Sequence, residues 1–107
     1  MISYDEFAKL EMRVGIVLEC ERVPGADKLL KLRVKVGEEE RTIAAGIGPS
    51  YSPEELVGKK IIVLVNLEPR KIRGIESQGM LLAAGETAEN VAVLTVDKEM
   101  EAGTRVY

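Results

Sequence analysis

The chain has 107 residues, 46% hydrophobic and 31% charged, which describes one globular domain over residues 1–107 with a modest core. It has no histidine and a single cysteine, Cys20, so zinc sites, an internal disulfide and histidine-based catalysis are excluded, and neither a metal, a cofactor nor an enzyme is expected. No apolar run approaches the roughly 20 residues of a membrane helix, and the acidic start Met1-Ile2-Ser3-Tyr4-Asp5-Glu6 is unlike a signal peptide, so no membrane partner and a cytoplasmic location are expected.

Ser3 and Glu6 form a capping box, with Ile2 and Phe7 at staple positions, which predicts a short helix over 4–10. Val14, Ile16, Leu18 and Cys20 then alternate with Arg13, Gly15, Val17, Glu19 and Glu21 as a half-buried strand, and Gly15 within it suggests a bulge or bend. Pro24-Gly25 closes that strand. Leu30, Leu32, Val34 and Val36 alternate with Lys31, Arg33 and Lys35, so the second strand has an apolar inner face and a cationic outer one. Gly37 turns the chain into a partner strand ending at Ala45. Gly46-Ile47-Gly48-Pro49 lacks the third glycine of a dinucleotide fingerprint.

Ser52-Pro53-Glu54-Glu55 is a second capping box with proline at the first helical position, and Gly58 stops a helix of little more than one turn. Ile61 to Val65 reads as a strand covered on both faces, and Met80–Ala84, Val91–Val96 and Thr104–Tyr107 supply further strands. The expectation is all-β: a five-stranded Greek-key barrel of the oligonucleotide/oligosaccharide-binding type (OB-fold), with a short helix between strands 3 and 4 and short terminal elements. Cys20 reads as a core residue.

The net charge of −3 hides a division. Residues 22–36 carry Arg22, Lys28, Lys31, Arg33 and Lys35 against Asp27, and residues 59–73 carry Lys59, Lys60, Arg70, Lys71 and Arg73 against Glu68. Each segment is +4, leaving −11 for the rest. Neighbouring in space, they would make one positive face on an acidic body. Charge alone favours the simpler reading, solvated strand faces.

The stretch from Val65 to Ala84 organises the chain. An apolar run turns at Pro69, sets Arg70, Lys71 and Arg73 within four positions, and passes through a glycine-bounded loop holding Ser77 to Met80. It offers cations, an amide and a hydroxyl but no base–nucleophile pair, so it suits holding a polyanion rather than cutting one. This stretch resembles the signature of the tRNA-binding domain family, which includes free-standing tRNA-binding proteins, the domain appended to methionyl-tRNA synthetases and the endothelial-monocyte-activating polypeptide group. Asn66, Pro69, Lys71, Gly74, Ser77, Gly79 and Met80 match the family pattern, and Glu68 stands where a lysine is usual, with Arg70 and Arg73 to compensate. The resemblance continues through Arg13-Val14-Gly15, Gly25-Ala26-Asp27-Lys28-Leu29, Ala45-Gly46-Ile47 and Tyr51 to Leu56.

The resemblance implies the same barrel, binding of tRNA at the outer corner of its L, a symmetric homodimer, and action beside a methionyl-tRNA synthetase. The candidate RNA contacts are Lys28, Lys31, Arg33, Asn66, Arg70, Lys71, Arg73, Ser77 and Met80. The cations would bind phosphates, and Asn66 and Ser77 ribose hydroxyls or base edges. Taken singly, each has a plainer role: Asn66 as a turn residue, Ser77 as a hydrated hydroxyl, Met80 as core filler. Tyr4, Phe7, Tyr51 and Tyr107 all lie outside the basic segments, so the stacking platforms used on extended single strands are missing, which points to folded RNA. Two alternatives stand beside this: a peptide-binding dimer like the secretion-chaperone branch of the fold, and a structural dimerisation module of a synthetase complex.

Overall fold

The computed structural model describes residues 1–107. Its first element is a single helical turn, α1 (Tyr4–Phe7), in which Glu6 N donates to Ser3 Oγ at 3.2 Å and Ser3 N to Glu6 Oε1 at 3.1 Å. The helix stops short of the expected residue 10 because another residue claims the backbone that follows. Asn66 Nδ2 donates to Lys9 O at 2.7 Å, and Glu11 N donates to Asn66 Oδ1 at 2.9 Å.

Strand β1 (Met12–Val23) runs through the middle of the main sheet, pairing with β4 (Lys60–Leu64) over 12–16 and with β2 (Ala26–Val36) over 16–23. The expected inward set on β1 needs correction. Val14 and Val17 are 1% exposed, whereas Leu18 is 36% exposed and Ile16 only half-buried. The β2 register shifts between Val17 and Glu19, and this bulge turns Leu18 outward, whereas Gly15, where a bulge or bend was expected, pairs with Ile61 in regular register. Cys20 packs half-buried against the core, where burial pushes its thiol up to about 11, so it stays protonated and unreactive at neutral pH.

Strand β2 follows its sequence pattern: Leu30, Leu32, Val34 and Val36 are buried and Lys31, Arg33 and Lys35 exposed. It pairs with β3 (Glu39–Ala45) in unbroken register from Val36↔Glu39 to Leu30↔Ala45. The one-turn helix α2 (Pro53–Leu56) comes between β3 and β4, as expected, and buries Leu56 completely. Glu55 Oε1 accepts from Ser52 N at 2.8 Å, which holds that carboxyl below the usual carboxylate range. Ile61 to Val65 are all buried, the two-sided covering the apolar run demanded.

The main sheet runs β3-β2-β1-β4-β7, with β7 being Met80–Leu81, and β10 (Arg105–Val106) pairs with the start of β1. The fold is all-β with two helical turns, and the path is open: no strand ladder joins β3 to β7. Two hairpins stand off it. One joins β5 (Arg70–Ile72) to β6 (Ile75–Ser77), where the sequence suggested only a loop. The other joins β8 (Ala83–Thr87) to β9 (Asn90–Val93). The expected strand 80–84 is therefore two strands, and 91–96 ends early. Leu82 N donates to Ile62 O at 3.0 Å and Leu82 O accepts from Leu94 N at 2.9 Å, so the chain leaves β4 at Leu82 for a new partner. Lys60 Nζ holds the tail through Glu99 Oε1 at 2.7 Å and the Met100 carbonyl. No helix is long and apolar enough to cross a membrane.

Candidate nucleic-acid interface

The β5–β6 hairpin turns on Arg73 (φ 52°) and Gly74 (φ 82°), the two positive φ values that a two-residue type I′ turn requires. Its ladder sets Arg70 opposite Ser77, Lys71 opposite Glu76 and Ile72 opposite Ile75. The hairpin is fixed at its base to β3. Ser77 is only 5% exposed; its hydroxyl accepts from Ala44 N at 3.0 Å and donates to Gly79 O at 3.0 Å. Gln78 N donates to Thr42 O at 2.8 Å, and Gln78 Oε1 accepts from Thr42 N at 2.9 Å. Arg41 adds a clamp, donating from Nη1 to Val65 O at 2.7 Å and Gln78 O at 3.1 Å. Both ends of the 65–78 excursion thus share one guanidinium.

The two basic segments are neighbours. A cleft of about 450 Å³ lies between the β1–β2 turn and the hairpin tip, lined by Gly25 to Leu29 on one side, Ile72 and Arg73 on the other, and Gly46. A second groove of about 390 Å³ joins Lys31 and Thr42 to Gly74, Ile75, Glu76 and Gln78. Lys31 also borders a third depression, of about 140 Å³, with Arg33, Glu19 and Glu21. The three depressions adjoin from Lys28 along β2 to the hairpin tip, and their linings mix the cations Lys28, Lys31, Arg33 and Arg73 with Asp27, Glu19, Glu21 and Glu76.

These cations are not equivalent. Arg33 Nε donates to Glu40 Oε1 at 2.8 Å, and Lys31 Nζ lies 3.8 Å from Glu21 Oε1. Lys28, Arg70, Lys71 and Arg73 are exposed and in no ion pair. Met80, at the start of β7 opposite Leu64, is 44% exposed. The structure brings Lys28, Lys31 and Arg73 around adjoining grooves, leaves Arg70 and Lys71 exposed on the hairpin outside the groove linings, and gives Asn66 and Ser77 other partners. Asn66 spends its amide on Lys9 and Glu11, and Ser77 spends its hydroxyl on Ala44 and Gly79.

Reading the sequence missed the residues that hold this surface in place. Arg41 and Arg22 pass for solvated cations, yet each donates to two backbone carbonyls, Arg22 to Gly48 O at 3.2 Å and to Tyr51 O at 3.5 Å. Gly48 N donates to Lys28 O at 2.9 Å, and a Cβ at Gly48 would meet Asp27 O at 2.9 Å. The Gly-x-Gly-Pro spelling was the available signal: a glycine is needed where two backbones touch. No group of three or more His, Cys, Asp or Glu is placed to hold a metal ion.

Ser77→Ala is expected to act on the fold first. It strands the Ala44 N–H, an unsatisfied buried donor costing about 1–3 kcal/mol. Urea denaturation should show that loss, with faster hydrogen exchange at Ala44. A variant as stable as the parent would return Ser77 to the surface role.

Residues 12–105 match the family model described as "Putative tRNA binding domain". The chain is 56% identical over 105 residues to a methionine–tRNA ligase of Caldanaerobacter subterraneus subsp. tengcongensis, an alignment covering 98% of this chain and 16% of that enzyme. The chain thus spans about a sixth of the length of the curated relatives it matches, here 16%. A crystal structure of a MetRS related protein from Pyrococcus horikoshii superposes with a TM-score of 0.93 at 46% identity, covering 100% of this chain and 98% of that one. The chaperone CsaA from Bacillus anthracis superposes with a TM-score of 0.91 at 29% identity, covering 100% and 99%.

Proposed function

Since the chain belongs to the tRNA-binding domain family, we propose that it binds folded tRNA at the outer corner of the L and catalyses nothing itself. The observation that carries this reading is the meeting of Lys28 and Lys31 with the tip of the β5–β6 hairpin, where Arg73 stands, around adjoining grooves. Cations on two rigid elements match phosphates held at fixed spacing by a folded RNA, and they read shape rather than sequence. In this reading Lys28, Lys31, Arg70, Lys71 and Arg73 contact phosphate, and Met80 lies against an exposed base. Asn66 and Ser77 hold the loop from beneath, and Arg33 stays with Glu40. We read the all-β sheet beneath it as an OB-type Greek-key barrel. In this reading the gap between β3 and β7 is bridged by residues 77 and 78, through the Ser77 hydroxyl and both the side chain and the backbone N–H of Gln78, rather than by a ladder.

The likeness to domains within methionine–tRNA ligases supports work beside such a synthetase in the cytoplasm, delivering or retaining its tRNA. A homodimer is part of the proposal. Ile2, Tyr4, Leu10, Met100 and Tyr107 are large apolar residues left exposed on the terminal segments, where a twofold copy would cover them. The likeness to CsaA favours one second reading, a peptide-binding chaperone dimer.

One experiment separates these. In filter binding at fixed moderate salt, tRNAs of different anticodon should bind within a few-fold of each other, and an unstructured RNA of equal length much more weakly. Light scattering on the same sample should give twice the chain mass. Equal binding of all RNAs would reduce the surface to generic electrostatics, and capture of unfolded peptide without RNA would favour the chaperone.

A further inference from the structure

The cleft between the β1–β2 turn and the hairpin tip differs in chemistry from the grooves beside it. Ala26, Leu29, Gly46 and Ile72 give it aliphatic lining, while Lys28 and Arg73 are cations in no ion pair. A phosphate by itself needs no aliphatic lining, and a wholly apolar group gains nothing from two free cations. A nucleotide whose base has left its stack presents both an uncharged flat face and an anion. The volume, about 450 Å³, falls within the roughly 300–1,000 Å³ of small-molecule sites. Asp27 lines the same cleft and supplies an acceptor for an exocyclic amino group.

We infer that this cleft is a pocket for a single nucleotide splayed out of the RNA, its base against Leu29, Gly46 and Ile72 and its phosphate between Lys28 and Arg73. The inference rests on the RNA-binding reading and adds a local contact to it. It explains how a surface without aromatic platforms gains more than charge from its ligand: the Leu29 and Ile72 side chains take the place of an aromatic ring. Lys28 is well placed to serve because Gly48 N holds its carbonyl at 2.9 Å, making this wall of the cleft rigid.

Gly46 allows a clean test. A Cβ built there meets nothing within 4 Å, so Gly46→Leu fills the cleft without displacing the fold. The variant should keep the parent's melting temperature and the slope of its salt dependence, yet bind tRNA about tenfold more weakly, the worth of one stacked base. Ile72→Ser should move affinity the same way. In parallel, cytidine 5′-monophosphate titrated into isotope-labelled protein should shift the amides of residues 25–29, 46, 72 and 73, and inorganic phosphate should shift only those nearest Lys28 and Arg73. Parental tRNA affinity in Gly46→Leu overturns the pocket, as do identical shifts from phosphate and nucleotide. It is equally overturned if an apolar peptide shifts these amides while the nucleotide does not. If the nucleotide shifts them but the parent fails to prefer tRNA over unstructured RNA, the pocket stands and the corner-binding reading falls.

Discussion

Replacing Arg70→Ala, Lys71→Ala and Arg73→Asn together is expected to weaken tRNA binding by two to three orders of magnitude at low salt, and to do so by charge alone. Asparagine is chosen at position 73 because its backbone sits at φ 52° before Gly74, and Asn-Gly is a preferred type I′ pair, so the hairpin keeps its shape. Each phosphate left without its cation should flatten the plot of log affinity against log salt by about one unit, so the variant should lie about three units flatter than the parent. The gap between them should then shrink roughly sixtyfold as salt rises from about 50 to about 200 mM. An unchanged slope would mean that the hairpin does not face the RNA. The melting temperature should hold, because all three side chains are exposed and in no ion pair.

Gly79→Ala should fail for the opposite reason, with folding lost first. Gly79 sits at φ 144°, and a Cβ there would lie 2.9 Å from Leu64 O and 3.3 Å from Val63 Cγ1. The nearest atom is backbone of β4 and cannot swing aside. The strained φ alone costs on the order of 1–3 kcal/mol, and pushing β7 off β4 raises the total to about 3 kcal/mol or more, a large part of the roughly 5–15 kcal/mol available to a domain. For a domain near 100 residues that lowers the melting temperature by roughly 12 °C or more. Calorimetry decides it: a shift within a few degrees would show that β7 tolerates displacement. Surviving protein should bind tRNA poorly, since Met80 follows directly and Gln78 precedes.

Much of this architecture was legible in the residues, and the failures share a cause. Strand β2 could be read because its period is uninterrupted, with Leu30 to Val36 facing in and the cations out. Helix α2 could be read because Ser52, Pro53, Glu55 and Gly58 are all local signals. Strand β1 was misread beyond Gly15, because a bulge at Leu18 inverts the alternation and no local residue type announces it. Arg70 to Ser77 passed for a loop although Arg73-Gly74 holds a turn, since arginine is seldom chosen at positive φ. The cations of the site were visible as charge clusters. What Asn66, Ser77 and Arg41 do was not, because their partners lie 24 to 57 positions away. A side chain's hydrogen-bond partner is a tertiary fact; sequence supplies only its capacity to have one.

The outward backbone of β3 carries a wider consequence. Thr42 and Ala44 present N–H groups on the side of the strand away from β2, and a strand left in that condition is a template for a stranger's strand. Gln78 Oε1 and Ser77 Oγ occupy both donors, and Gln78 N occupies the Thr42 carbonyl between them. The segment proposed to contact the RNA is therefore also what covers the β3 edge against pairing with another copy of this protein. A substitution at residue 77 or 78 that removes these bonds would thus uncover the β3 edge as well as loosen the base of the hairpin.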